Sequence, residues 1–233
     1  MLADVNVLLK LDPQDAFDQW LALPGEWVEP PNIRRGGESG VKRVFTSTSG
    51  VLYCKQQVEH TYKSLGHPFG YPTAMRERDV LQACVALKVT APVIVYAHCR
   101  KVAGVWQALL VTKELEGFSS LEDCYARGDE QVWGEALHQR VLLELGACLA
   151  RLNLGRLQHG CLRMKHIFVR VQGEEVEVGL LDLEKSRQRF TVRQAGQHDI
   201  QQLKRHSSWT DSQWQAFAYG YEIVFGGTFK GLR

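Results

Sequence analysis

No uninterrupted apolar run in this chain approaches the ~20 residues that span a bilayer, so a membrane-spanning helix is not expected. No C-x-x-C pair occurs among the cysteines Cys54, Cys84, Cys99, Cys124, Cys148 and Cys161. That absence removes the local ligand spacing of a structural zinc site. Most of the six fall within apolar stretches, which reads as reduced, packed thiols of a cytoplasmic protein. The N-terminus carries no basic flank, long apolar core or small-residue cleavage site, so secretion is not expected either. An excess of charge is also missing: a formal net charge of +2 is too weak to argue for a nucleic-acid partner. What is present, 45% hydrophobic and 23% charged residues over 233 positions, suffices for a core in one domain or in two lobes sharing a cleft.

Local signals divide the chain into a strand-rich half with one helix and a helical half. Asp12 suits an N-cap and Pro13 a first helical position, with Phe17, Trp20 and Leu21 on one stripe and Pro24-Gly25 as the stop. Pro30-Pro31 stiffens the approach to a Gly-rich turn, Gly36-Gly37-Glu38-Ser39-Gly40. Strands are expected over Val41–Thr46 and Val51–Gln56, and a loop over His60–Tyr71, where Gly66, His67-Pro68 and Gly70 cluster. A helix follows from Pro72-Thr73 to about Lys88, with Glu77, Leu81 and Cys84 on one face. Strands over Pro92–Tyr96 and Val105–Thr112 come next, and Lys113–Phe118 leaves the sheet. Ser119-x-x-Glu122 reads as a capping box. Leu137, Val141, Leu145, Cys148 (or Leu149) and Leu152 set a long helix over Gln131–Leu154. Ile167–Val171 and Val176–Leu181 form a hairpin, and the remainder reads as helical with a flexible tail at Gly226–Gly231.

Several residue groups carry chemistry, each beside a plainer alternative. Exposed N–H groups in the Gly-rich turn could cradle phosphate oxygens, but it lacks a G-K-[ST] ending, and a simple β-turn serves as well. Lys55 ends an apolar strand and Glu77 lies on a packed helix face; each charge requires a partner there. They form either a Lys–Glu pair or two unrelated surface charges. Asp182 ends the apolar strand Val178–Leu181, where a carboxylate is costly unless it binds a cation or several donors, or simply begins a turn. Asp199, in His198-Asp199-Ile200-x-x-Leu203, resembles the kinase aspartate whose helix supports the catalytic loop from beneath, or else caps a helix.

Set on the kinase pattern H-R-D-L-x-x-x-N, the chain reads His159-Gly160-Cys161-Leu162 with His166 at the Asn position, and Asp182-Leu183-Glu184 stands where D-F-G would. The order of these pieces resembles the lipopolysaccharide kinase family, the bacterial kinases of heptose and Kdo sugars in the endotoxin core, and within it the InaA-type branch. The resemblance lies in Arg34-Arg35-Gly36-Gly37-Glu38-Ser39-Gly40-Val41, Pro72-Thr73-Ala74-Met75-Arg76-Glu77, Lys165-His166-Ile167-Phe168-Val169 and Leu181-Asp182-Leu183-Glu184-Lys185. It runs from about Arg34 to Asp199. A histidine at the Asn position and a D-L-x turn are features that family displays.

The resemblance implies an α+β, protein-kinase-like bilobal fold. A small antiparallel-sheet N-lobe with one helix would occupy residues 1–115, and a reduced helical C-lobe residues 116–233. It implies ATP held by Gly36, Gly37, Gly40, Lys55, Glu77 and the hinge residue Glu114. It implies Mg²⁺ or Mn²⁺ on Asp182 and His166, with Cys161, His166 and His159 as catalytic candidates. The acceptor would be a saccharide or lipid-linked sugar, since no A-P-E-like peptide-positioning segment is visible. Arg163, Lys165, Arg170, Lys185, Arg187, Arg189 and Arg193 could draw such a glycolipid, peripherally at the inner membrane surface, or could be a solvated face. Cys161 stands where the general base is expected. Its loss costs ~10²–10⁴-fold and need not abolish transfer. Two outcomes therefore stay open, a sugar kinase and a nucleotide-binding pseudokinase with a regulatory or scaffold role in envelope stress. An aminoglycoside-type phosphotransferase is weakened because it too requires that aspartate.

Overall fold

The first helix begins where Asp12 and Pro13 place it. In the structure, a computed structural model that describes residues 4–34 and 36–232 (for Arg34 the backbone only), α1 spans Pro13–Ala22. The Asp12 carboxylate accepts a hydrogen bond from the Gln14 N–H at 2.9 Å. The chain divides into two compact units, residues up to Gln82 with Pro92–Glu114, and Ala83–Ala91 with residues from Leu115 onward. A single cut at 115 omits the return of Ala83–Ala91 to the second unit. That return has a packing cause: Leu87 fills the space beside Gly155, and Thr90 makes a parallel bridge to Gly179.

The first unit is built on β1 (Glu26–Arg34), β2 (Gly37–Phe45), β3 (Val51–Val58), β4 (Thr61–Ser64), β5 (His67–Pro72), α2 (Thr73–Ala86), β6 (Ile94–Val102) and β7 (Val105–Lys113). Five strands form one antiparallel sheet in the order β1-β2-β3-β7-β6. Leu52, Cys54, Leu109 and Val111 bury one of its faces with Ala16, Phe17 and Trp20 of α1, and Trp20 stacks on Tyr96 at 5.4 Å. Three segments depart from the expected pattern; in one, β2 begins at Gly37, inside the expected Gly-rich turn. Pro30-Pro31 lies within β1 itself, tolerated because β1 is an edge strand whose register slips between Trp27 and Asn32. The expected loop over His60–Tyr71 is the two-stranded hairpin β4–β5, where the cross-strand edge contact of Tyr62 with His67, ring centroids 6.0 Å apart, supports pairing that the glycines argue against.

The second unit holds β8 (Ser119–Ser120), α3 (Leu121–Arg127), α4 (Asp129–Leu154), β9 (Leu157–Gln158), β10 (Ile167–Gln172), β11 (Glu175–Leu180), β12 (Arg187–Gln188), α5 (Val192–His206) and α6 (Asp211–Phe225). Small sheets run β11-β10-β8 and β12-β9. The N-cap of α3 falls one residue later than expected: Ser120 Oγ accepts from the Asp123 N–H at 3.0 Å, while Ser119 pairs with Val169 in a strand. Val141, Leu145, Cys148, Leu149 and Leu152 are buried on α4 as its period predicts, and Gly134 breaks the first turns with φ 71° and ψ 170°. Helix α6 meets α4 backbone to backbone, since a Cβ on Gly220 would come within 1.9 Å of the Leu143 carbonyl. The tail expected to be flexible is docked. Phe229 and Leu232 are buried, Phe229 N–H donates to Glu222 at 2.8 Å, and Trp214 Nε1 donates to the Leu232 carbonyl at 3.1 Å. An α+β chain with an antiparallel sheet is thus what the sequence specifies.

Candidate functional site

Alternation along β3 places Tyr53, Lys55 and Gln57 on the face opposite Leu52 and Cys54. Lys55 Nζ reaches Glu77 Oε2 on α2 at 2.5 Å, with both side chains largely buried. Gln57 fastens the start of the same helix: its amide exchanges hydrogen bonds with Thr73 Oγ1 at 2.9 and 3.1 Å and accepts the Ala74 N–H at 2.9 Å. Tyr53 donates to Glu114 Oε1 at 3.2 Å. One strand face therefore holds α2 at its first residues through Gln57 and one turn further on through the Lys55–Glu77 pair. Gln57 and Thr73 were not singled out from sequence, although Gln57 lies two residues beyond Lys55 and so must share its face.

Of the expected Gly-rich turn Gly36–Gly40, Gly36 precedes β2, and Gly37, Glu38, Ser39 and Gly40 belong to that strand. Gly36 has φ +80°, which favours glycine, and a Cβ on Gly40 would lie 2.9 Å from Pro31 N, so close strand approach requires that second glycine. Gly37 begins β2. Arg35 and the Arg34 side chain lie outside the described residues.

In the second unit the loop from His159 is held from below by Asp199. This carboxylate is fully buried in the middle of α5, so it is not a helix cap. It accepts the His159 N–H at 2.7 Å, the Gly160 N–H at 3.1 Å and the Asn153 amide at 3.1 Å. Asn153 in turn donates to the Leu157 carbonyl at 2.9 Å and accepts from the Tyr221 hydroxyl at 3.1 Å. Gln202, one turn beyond Asp199, accepts the Leu162 N–H at 2.9 Å. Asn153, Gln202 and Tyr221 carried no sequence signal beyond a polar atom on a helix face otherwise apolar. Gly160, with φ +80° and the Lys185 carbonyl 2.4 Å from where a Cβ would sit, is the one residue type this turn accepts.

His159, a catalytic candidate from sequence, is placed among backbone groups. It is fully buried, its Nε2 donates to the Leu181 carbonyl at 3.0 Å, and its Nδ1 accepts the Cys161 N–H at 3.4 Å. Both ring nitrogens are thus used on backbone, and burial holds its pKa below the ordinary histidine value. It positions the strand end that presents Asp182.

Cys161, His166 and Asp182 come together. His166 Nε2 lies 3.2 Å from Asp182 Oδ2, and one ligand atom from each of the three residues lies within 4.8 Å of the others. Asp182 adopts the left-handed conformation (φ 57°, ψ 54°), unusual for a non-glycine residue and typical of functional turns. A divalent cation fits this donor set, which joins a carboxylate to an imidazole and a thiol. The Lys55 ammonium, held by Glu77, is suited to phosphate oxygens. The basic cluster separates into two groups. Arg170 is used on Glu177 and Arg189 on Gln158, whereas Arg163, Lys165, Lys185, Arg187 and Arg193 are exposed.

The Escherichia coli (strain K12) protein InaA is 38% identical over 192 residues, covering 82% of this chain and 88% of the relative. A solved structure described as WaaP in complex with acyl carrier protein superposes with a TM-score of 0.69 at 17% identity, over 96% of this chain and 88% of that one. The fold is therefore protein-kinase-like. The profile of the lipopolysaccharide kinase (Kdo/WaaP) family matches residues 18–221, and this chain belongs to that family.

Proposed function

We propose that this protein is an ATP-dependent phosphotransferase acting on a sugar hydroxyl of the lipopolysaccharide core or a related saccharide. The observation that carries the reading is the buried Lys55–Glu77 pair at 2.5 Å, anchored by Gln57, in a chain of this family. Lys55 would hold nucleotide phosphates and Glu77 would fix the direction of its ammonium. Asp182, with His166, would hold a divalent cation. ATP supplies the phosphoryl group, and the cation (Mg²⁺ or Mn²⁺) neutralises charge on it. Exposed Arg163, Lys165, Lys185, Arg187 and Arg193 suit an anionic glycolipid acceptor. Exposed Leu65 and Phe69 at the β4–β5 hairpin, next to Lys63, suit peripheral contact with a membrane surface. No described helix is long and apolar enough to cross a membrane.

A second reading, a nucleotide-binding pseudokinase, is favoured by one observation: a thiol, not a carboxylate, follows His159-Gly160. Thermal shift with ATP and Mg²⁺ or Mn²⁺ separates both from a non-binder, because ligand at 100 times its Kd adds ~2.7 kcal/mol. The shift is expected in the wild type and lost in Lys55→Met and Asp182→Ala. No shift at millimolar ATP would sink both readings. Transfer of labelled γ-phosphate to core oligosaccharide supports the kinase. Binding without transfer, restored by Cys161→Asp, supports the pseudokinase.

A further inference from the structure

The two nitrogens of the His166 ring have different neighbours. Nδ1 lies 2.7 Å from the Cys161 carbonyl oxygen. A carbonyl can only accept, so Nδ1 carries the ring proton. In the neutral ring Nε2 then presents its lone pair to Asp182 Oδ2, itself an acceptor, at 3.2 Å. A metal ion placed between them would take up both lone pairs. The third group is the Cys161 side chain, half-exposed and in reach of both.

We propose that Cys161, His166 Nε2 and Asp182 form a three-residue site for a borderline-soft divalent transition ion of the zinc type, with one coordination position left open. The donor chemistry selects this class. Thiolate and imidazole suit such ions, whereas magnesium prefers oxygen ligands in an octahedron. Tetrahedral bonds of about 2.0–2.3 Å set ligand atoms roughly 3.3–3.6 Å apart. The His166–Asp182 pair already has this spacing, and a side-chain movement of about an ångström brings the Cys161 sulfur from at most 4.8 Å to bonding range. The Cys161 carbonyl fixes the imidazole's tautomer and plane, as partners of metal-bound histidines do. On binding, the thiol proton passes to solvent and the sulfur bonds the ion. The Lys185 ammonium, 3.9 Å from that sulfur, favours the charge left behind.

The cysteine that replaces an expected general base is then a metal ligand. This inference deepens the phosphotransferase reading, assigning the Asp182–His166 position an ion of the zinc type in place of Mg²⁺ or Mn²⁺; it rests on that reading for the use made of the ion, though not for its binding. The test is cobalt titration of full-length protein stripped with chelator, without nucleotide. One Co²⁺ per chain is expected, with a near-ultraviolet sulfur-to-cobalt charge-transfer band and intense visible bands of tetrahedral cobalt. Zn²⁺ should abolish these bands and excess Mg²⁺ should leave them. Cys161→Ser and Cys161→Ala should lose the charge-transfer band. His166→Gln and Asp182→Asn should weaken binding by more than the roughly 10–100-fold that loss of an outer partner costs. In the wild type, Zn²⁺ should protect Cys161 from alkylation, a readout that needs no variant. Absence of the band, its survival without Cys161, or displacement by Mg²⁺ overturns the proposal. Cobalt binding without an ATP thermal shift keeps the site and removes the kinase reading. An ATP shift without a cobalt–thiolate band removes the site alone.

Discussion

Replacing Asp199 by asparagine changes almost no volume yet removes one acceptor from a buried cluster that uses both. Oδ2 receives the His159 N–H and the Asn153 amide, and Oδ1 receives the Gly160 N–H. An asparagine amide is best placed with its oxygen in the Oδ2 position, which turns its NH₂ group towards the Gly160 N–H. One buried donor is then unsatisfied, at about 1–3 kcal/mol. The two remaining bonds lose their charged acceptor, at about 1 kcal/mol each. The sum, roughly 3–5 kcal/mol, falls on the His159–Leu162 loop and a large part of a typical domain's stability. Amide hydrogen exchange reads it directly: the His159 and Gly160 amides should exchange ~100-fold or more faster, since 1.4 kcal/mol is a factor of ten. Urea unfolding should show a matching loss in the second unit. Exchange at both amides within a few-fold of the wild type would refute the claim that this carboxylate holds the loop.

Burial keeps the His159 ring neutral with its pKa below the ordinary value near 6.5. The unfolded chain therefore binds more protons below about pH 6.5, and stability should fall as pH drops from there towards the lowered native pKa. His159→Gln retains a donor for Leu181 and should flatten that fall, with His98 and His138, also lowered by burial, supplying the remainder; an unchanged slope would contradict the burial argument. Gln57→Leu leaves the Ala74 N–H and the Thr73 hydroxyl without their partner and should cost about 2 kcal/mol in urea unfolding and weaken the ATP thermal shift. Burial pushes the thiols of Cys54 and Cys84 up to about 12 and those of Cys124 and Cys148 up to about 11. Native alkylation near neutral pH should therefore spare all four, as peptide mass analysis would report, and labelling of any of them would count against this packing.

Much of the fold is written locally. Asp12-Pro13 starts α1, the period of Val141 to Leu152 sets α4, and the hairpin β10–β11 follows from alternation, because capping, periodicity and pleat act over a few residues. The edge strand through Pro30-Pro31 and the hairpin β4–β5 were not legible, since local proline and glycine chemistry opposes strands and only pairing partners outweigh it.

The site divides along the same line. Order and identity alone nominate Lys55, Glu77 and Asp182, each a costly group at the end or on the packed face of an apolar element, and His166 through its place in the kinase pattern. Tertiary structure alone decides that Lys55 pairs with Glu77, that Gln57 fastens α2, and that Asp199, Asn153 and Tyr221 form one buried network. It also sets both ring nitrogens of His159 against backbone groups and brings Cys161 beside His166 and Asp182. A side chain's chemistry is carried by its own residue, but which atoms it faces depends on chain segments 20 to 70 positions away meeting in space, and no local pattern encodes that meeting.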